Sequence, residues 1–547
     1  MTTVTQKSEL FNLRVYGSSA FIFHLPTEIL EIIFIDCARD YHSKDGGRLT
    51  LTVPSWVNVS YVCRHWRNVA LECPTLWTYL FVTSPRWTRE LLARSKQAPL
   101  KLHVYPDVAH PSSSEFCFVE PVMNRVERIQ ELRLHVPRGC NEAQYFSKLS
   151  SPAPRLQNLK ISTESDWSEW SLVLFNGDTP ALRTLELSCC PLPWYSFKLG
   201  GLMILSLYRV PVRFQENIEE FLATLRCMQN LQHLYLDSAL RSAAGFLSSA
   251  VYQTFRKIDL PHLSRLWVAA PLSTAVALLS CVHIPLKTEI RLQLRCEGTS
   301  SPDSYASFLS FLAQRFDMSD DQTPFRPKIR SAVVKYTSRN HGDLRLSASE
   351  HDCDVTGCPS NFEWDCNIPL KIEIRSRPPM TIDSHHIITD ICCSLSLLNV
   401  CSLHVIDPPL SLALWRKAFG CLHELRYLKL SQGGMPNLAP MLSLIPYSCT
   451  EFQGRDADGG PNQIFAPALE ELELDSIAFL PKPLPAHNMG WPTTDVQSIY
   501  VYDALSTRKG SRGRLTMYQC LVGGGIIDGK WEDFQMLEDC SRPWSSL

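Results

Sequence analysis

The densest group of soft metal ligands in the sequence is His351, Cys353, Cys358 and Cys366. A structural zinc site needs four such donors within tetrahedral reach, in modules that pair them at short fixed spacings. Here the ligands are separated by one, four and seven residues and C-x-x-C occurs nowhere in the chain, so the spacing fits no common zinc module. Gly523-Gly524-Gly525 followed by Gly529 has the composition of a phosphate-cradling loop. The Lys-Ser/Thr that completes such a loop is missing, which leaves a flexible turn near the C-terminus as the expectation. Arg508, Lys509, Arg512 and Arg514 put four positive charges within seven residues among Gly and Ser, the composition of a solvated loop. Neither a G-x-S-x-G elbow nor an H-E-x-x-H helix is present. The expectation at this level is a protein without catalytic residues, metal or cofactor.

The elements that would position any site carry more information. The chain has 547 residues, more than one ordinary core requires, which implies several domains or a repeat array. Fifty-three Lys and Arg against 55 Asp and Glu give a formal charge of −2 and no bulk electrostatic reason for a nucleic acid or an anionic membrane as partner. The apolar stretch from Ala20 to Cys37 is interrupted by His24, Pro26, Glu28, Glu31 and Asp36 and is not expected to cross a bilayer. The first nineteen residues contain no secretory leader pattern. The 20 cysteines show no repeated spacing and sit beside aliphatic residues, as reduced thiols of a cytoplasmic or nuclear protein do. Leucine, at 73 residues, is in marked excess.

Near the N-terminus, Thr27 follows Pro26, and Ile29, Leu30, Ile33, Phe34 and Cys37 fall at helical spacing on one face. After a polar stretch from Arg39 to Arg48, Ser55 opens a second helical pattern carrying Val59, Val62, Cys63, Trp66, Val69 and Ala70. Pro74 restarts the chain into a short turn with Leu76 and Trp77. Helices this short bury little surface, so their apolar faces need a partner.

In this order, Leu25-Pro26, Glu28, Ile29-Leu30, Ile33-Phe34, Val62-Cys63-Arg64-x-Trp66-Arg67, Ala70 and Leu76-Trp77 resemble the F-box, in a divergent form common in fungal proteins. The connection between Cys37 and Val57 is longer than in compact F-boxes. The resemblance implies an all-helical module at 21–82, after a tail at 1–20, that docks onto a Skp-type adaptor and through it a cullin. It also implies that Leu25, Pro26, Ile29, Leu30, Ile33 and Phe34 lie against the adaptor, with Val62, Cys63, Trp66 and Trp77 shared between core and interface.

The leucine excess has a period. The pattern L-x-x-L-x-L or a close relative occurs at Ile129, Leu156, Leu182, Leu202, Leu231, Leu263, Leu425 and Leu469. From Leu132 through Leu159, Leu185, Leu205, Leu234 and Leu266 the steps are 27, 26, 20, 29 and 32 residues, close to the leucine-rich-repeat range. Arg86–Gln97, Glu216–Cys227 and Tyr305–Phe316 have helical patterns preceding strand patterns. The fold class expected is therefore α/β: the F-box, then an irregular leucine-rich-repeat solenoid at 83–505, with parallel strands on a concave face and helices or loops on the convex face. Residues 297–400 are its least regular part, either weak repeats or an insertion, and 506–547 form a C-terminal cap or tail.

In an L-x-L strand the leucines enter the core and the residue between them faces the concave surface. This singles out Arg133, Lys160, Glu186, Ser206, Tyr235, Trp267, Lys429 and Glu473 as target-binding candidates, with His135, Tyr208 and Asp237 two positions along. Tyr235 and Trp267 are expected either as exposed aromatic anchors or as residues covered by a C-terminal loop or the central insertion. The function expected is a non-catalytic substrate receptor of a cullin-type ubiquitin ligase, acting as a monomer within a larger complex. The alternative is an interaction scaffold outside any ligase.

Overall fold

The computed structural model describes residues 25–44, 55–81, 85–104, 122, 124–136, 146, 148–164, 174–190, 194–212, 215–243, 256–296, 302–316, 328–337, 343–350, 370–376, 384–395, 397–406, 412–420, 422–433, 466, 468–477, 514–522 and 525–532. The chain divides into two compact units, Met1–Phe214 and Gln215–Leu547.

The first unit opens with helix α1 (Thr27–Lys44), whose first backbone N–H groups, those of Ile29 and Leu30, donate to the Pro26 carbonyl. Leu30, Phe34 and Ala38 recur every four residues and are buried, and this stripe carries the helix past Arg39, where the composition alone predicts a polar connection. The second predicted helix is two elements, a 3-10 segment at Ser55–Tyr61 and α2 (Arg64–Glu72). Cys63 separates them: its backbone is extended and its sulfur accepts the Trp66 N–H at 3.4 Å, capping α2. The valines at 57, 59 and 62 favour a break, because β-branched side chains lose rotamer freedom in a helix. A 3-10 turn (Pro74–Trp77) then leads into β1 (Tyr79–Phe81), α3 (Pro85–Arg94), β2 (Leu100–Val104), β3 (Ile129–Val136), β4 (Asn158–Thr163), β5 (Thr184–Ser188) and β6 (Ile204–Tyr208).

Strands β1 to β6 pair in parallel with sequential neighbours. The register stacks Leu80, Leu102, Leu132, Leu159, Leu185 and Leu205 in one row, all essentially inaccessible. Each such leucine contributes about 1.5–3 kcal/mol of burial. Cys189 and Arg209, one residue beyond β5 and β6, have the left-handed φ values 52° and 50°.

The second unit contains α4 (Ile218–Leu225), β7 (His233–Asp237), the short β8 (Ile258–Asp259), β9 (Arg265–Pro271), α5 (Leu272–Cys281), the short β10 (Val282–His283) and β11 (Glu289–Cys296). It continues with α6 (Pro302–Phe316), β12 (Ser331–Thr337), β13 (Asp343–Ser349), β14 (Leu370–Ser376), α7 (Ser384–Ser394), β15 (Ser402–Ile406), α8 (Leu412–Phe419), β16 (Tyr427–Gly433), β17 (Glu471–Ile477), β18 (Arg514–Val522) and β19 (Gly525–Glu532). Helix α5 is apolar nearly all round and packs on β9 and β11, while α5, α6, α7 and α8 pack on one another in sequence.

Its sheet order is β7-β9-β11-β14-β13-β12-β15-β16-β17-β18-β19. The segment predicted as least regular, 297–400, supplies β12, β13 and β14 as a meander in which β13 runs antiparallel to both neighbours. The meander is set in reverse order, with β14 beside β11 and β12 beside β15, both in parallel. Its core rows are filled by Ala332, Val334, Leu346, Ala348 and Ile372 instead of a leucine motif. The architecture is thus mixed α/β, dominated by parallel strands. Gly525 and Gly529 lie in β19, antiparallel to β18, where the sequence suggests only a turn. His351, Cys353, Cys358 and Cys366 lie outside the described residues, as do Arg508, Lys509 and Arg512. Among the described residues no group of three His, Cys, Asp or Glu side chains could hold a metal, and no helix is long and apolar enough to cross a membrane.

Candidate functional site

The N-terminal helices are closed by aromatic packing. The Trp77 indole N–H donates to the Ala70 carbonyl at 2.6 Å, its ring lies 5.4 Å from that of Trp56, and the Arg94 guanidinium covers it at 4.3 Å. Trp66 rests half-buried 5.1 Å from Phe34. Arg67 donates to the Ser60 carbonyl at 3.0 Å and ties α2 back to the 3-10 segment.

This core uses up three of the residues expected at a partner surface: Leu30, Phe34 and Trp77 are fully buried within their own unit. The physical reason is period: α1 is apolar over more than one stripe, and positions 30, 34 and 38 take the inner one. Ile29 and Ile33 remain exposed with Val62 and Pro26, while Leu25, Cys63 and Trp66 are half-buried. Three exposed apolar residues were missed, Ile32 at 56%, Tyr61 at 64% and Leu71 at 38%. Ile32 was recoverable, since it stands three residues after Ile29 on the outward side.

The second candidate surface is the face of each sheet opposite the leucine rows. In the first unit the register places His103, Arg133, Lys160, Glu186 and Ser206 in one row, as alternation requires. Lys160 pairs with Glu186 at 2.6 Å, and Glu131 accepts from Arg133 at 2.7 Å and from His103 at 3.1 Å. Burial alone would raise the Glu131 carboxyl, but the hydrogen bond from His103 and the charges of Arg133 and Lys101 override it and hold it at about 2. Glu131, Arg133, Asn158, Lys160, Thr184 and Glu186 line a half-open groove of about 280 Å³ on this face. His135, beside them, bonds Ser162 at 2.9 Å, and Tyr208 is half-buried at the end of β6.

In the second unit the equivalent row runs Tyr235, Trp267, Arg291, Lys371, Ser347, Val333, His404, Lys429, Glu473 and Thr516. Of the two alternatives for the aromatic pair, exposed anchors are not found. Tyr235 is buried, Trp267 is half-buried, and their rings meet edge to face at 6.4 Å. Lys429 pairs with Glu473 at 2.7 Å, and the Tyr427 hydroxyl donates to the same carboxylate. The strands between carry a charge cluster invisible to the leucine motif: Arg291 bonds Glu289 at 2.9 Å, and Glu373, fully buried, accepts from Arg375 at 2.9 Å with Arg345 at 3.3 Å. On this face cations and acids pair within and across neighbouring strands.

Residues 22–83, from α1 through β1, match the F-box-like family. No curated protein matches the chain.

Proposed function

We propose that this chain is the substrate-receptor subunit of a Skp-cullin-F-box type ubiquitin ligase. The observation that carries the reading is the unit matching the F-box-like family, which buries one stripe of α1 and leaves Ile29, Ile32 and Ile33 on its surface. An apolar helix face in so small a unit is a docking surface for a partner helix. The adaptor holds this face, and the remaining strand-and-helix array, read as an irregular leucine-rich-repeat solenoid, holds a target protein by its polar face. Ubiquitin transfer belongs to other subunits. Bridging raises the effective concentration of the target near them without new chemistry in this chain. The place of action in this reading is the cytoplasm or nucleus.

The test is co-purification with a Skp-type adaptor, comparing the wild type with Ile29→Asp combined with Ile33→Asp. Both side chains are exposed, so the fold should survive and adaptor recovery should fall by about tenfold or more, since two buried interface charges each cost over 1 kcal/mol. Undiminished recovery, or no adaptor with the wild type, rejects the receptor reading.

A further inference from the structure

The meander in the second unit places like charges directly opposite one another. Across β11 and β14 the register pairs Arg291 with Lys371 and Arg295 with Arg375, and across β12 and β13 it pairs Lys335 with Arg345. By alternation all six project from the face opposite the buried Leu292, Ile372, Leu346 and Val334. Like charges directly opposite in a ladder are destabilising, so three such pairs side by side are a cost that the fold does not require.

The acids on the same four strands are Glu289, Glu373 and Asp343. Glu289 is taken by Arg291, and Glu373 is shared between Arg345 and Arg375. The buried carboxylate of Glu373 thus anchors two guanidiniums whose side chains stay 35% and 48% exposed. Arg295 bonds the neutral hydroxyl of Ser238 at 3.1 Å, and Lys335 has no acidic partner among the described residues. The surplus positive charge is built into the sheet: Arg291 is buried, and the other five side chains are partly open to solvent.

We propose that the polar face of β11, β14, β13 and β12 docks an extended acidic segment of a partner protein, whose Asp and Glu carboxylates lie over the partly open cations of these strands. The spacing selects this occupant. Within β11 and within β14 the cations stand four residues apart, about 13 Å, and neighbouring strands lie about 4.8 Å apart, so the cations occupy a sparse lattice across the face. A single phosphate needs several donors around one centre, whereas carboxylates strung along a chain meet a lattice site by site. The proposal rests on the receptor reading, for which it names the chemistry of the target.

The experiment uses the full chain and a fluorescein-labelled alternating Glu-Ala peptide, followed by anisotropy at low ionic strength. The variant is Lys335→Gln with Arg295→Gln, which leaves Glu373 and both of its arginines in place. Binding should weaken about tenfold, as expected for two half-exposed charge-assisted contacts, and should fall further with added salt. A variant matched in charge, Lys96→Gln with Lys198→Gln, should bind as the wild type does. Lys335→Gln alone should also melt no lower than the wild type, because it relieves the repulsion from Arg345, whereas Arg295→Gln also gives up the Ser238 bond. The idea fails if the wild type does not bind the peptide, if the two double variants behave alike, or if Lys335→Gln alone is destabilised. A phosphoserine peptide of equal charge binding more than about tenfold tighter would replace the carboxylate occupant with a phosphorylated one. Adaptor co-purification of the Lys335/Arg295 variant separates the claims: retained adaptor with lost peptide binding places the acidic site in a receptor, and lost adaptor undoes the independence assumed here.

Discussion

Two glutamates show how the same side chain acquires opposite pH behaviour from its surroundings. Glu131 sits among His103, Arg133 and Lys101, and its carboxyl is held at about 2 although burial opposes ionisation. Glu216, at the start of the second unit, has both carboxylate oxygens buried without a hydrogen-bond partner among the described residues. Burial first and the charge of Glu220 second push its carboxyl up from 4.5 to about 7. Between those two values the folded state holds a proton that the unfolded chain has lost. Stability therefore falls as pH rises through this window and is lowest above about 7. Glu216→Gln should raise stability by about 1–2 kcal/mol at pH 8, a figure discounted for partial exposure, and by nothing measurable below pH 4.5. Urea denaturation at the two pH values checks this, and an equal gain at both would remove titration as the cause. Glu131 has the opposite sign: its stabilisation is present above 4.5 and fades as pH falls toward about 2.

At the scale of elements, four strands end in the same way. Cys189, Arg209, Ser238 and Ser476 stand one residue past the strand or at its end with left-handed φ of 52°, 50°, 49° and 54°, each two positions after the second leucine of an L-x-L. A non-glycine residue there carries about 1–2 kcal/mol of strain. Ser476→Gly should accordingly be more stable than Ser476→Ala by about 1 kcal/mol, since only glycine enters this region without a Cβ clash. Thermal melting of the two variants decides it, and parity would mean that the turn is relaxed. Because none of the four is glycine, the recurring turn left no mark in the sequence. The leucine rows did: Leu132, Leu159, Leu185 and Leu205 announce their strands because a buried parallel ladder repeats the same requirement at each step. The alternating residues of β12 and β14 mark strands but not their order, since strand pairing is a non-local choice and alternating residues satisfy either neighbour. The same limit hid which face of α1 stays exposed. Periodicity marked Ile29, Leu30, Ile33 and Phe34 as apolar, but only packing separates the inner stripe from the outer one.

Over the whole molecule, the chain divides into two compact units. Within each unit a strand pairs with its immediate neighbours, so a cavity weakens chiefly the rows that touch it, and cooperativity need not extend over 547 residues. Leu159 is central in the ladder of the first unit and wholly buried between Leu132 and Leu185. Leu159→Ala should cost that unit about 2–5 kcal/mol through lost transfer energy and the cavity left behind. Native-state hydrogen exchange read by peptide then gives the outcome. Amides of β3, β4 and β5 should lose protection by an amount matching the cost, while those of β9, β11 and β14 keep theirs, and a uniform loss across both sets would show a single cooperative chain. Independence of this kind would suit the proposed bridging role, because the surface proposed to hold the adaptor lies in the first unit and the face proposed to hold an acidic target lies in the second. With that outcome, variants of Ile29 and Ile33 report on adaptor binding while Arg295 and Lys335 report on the target.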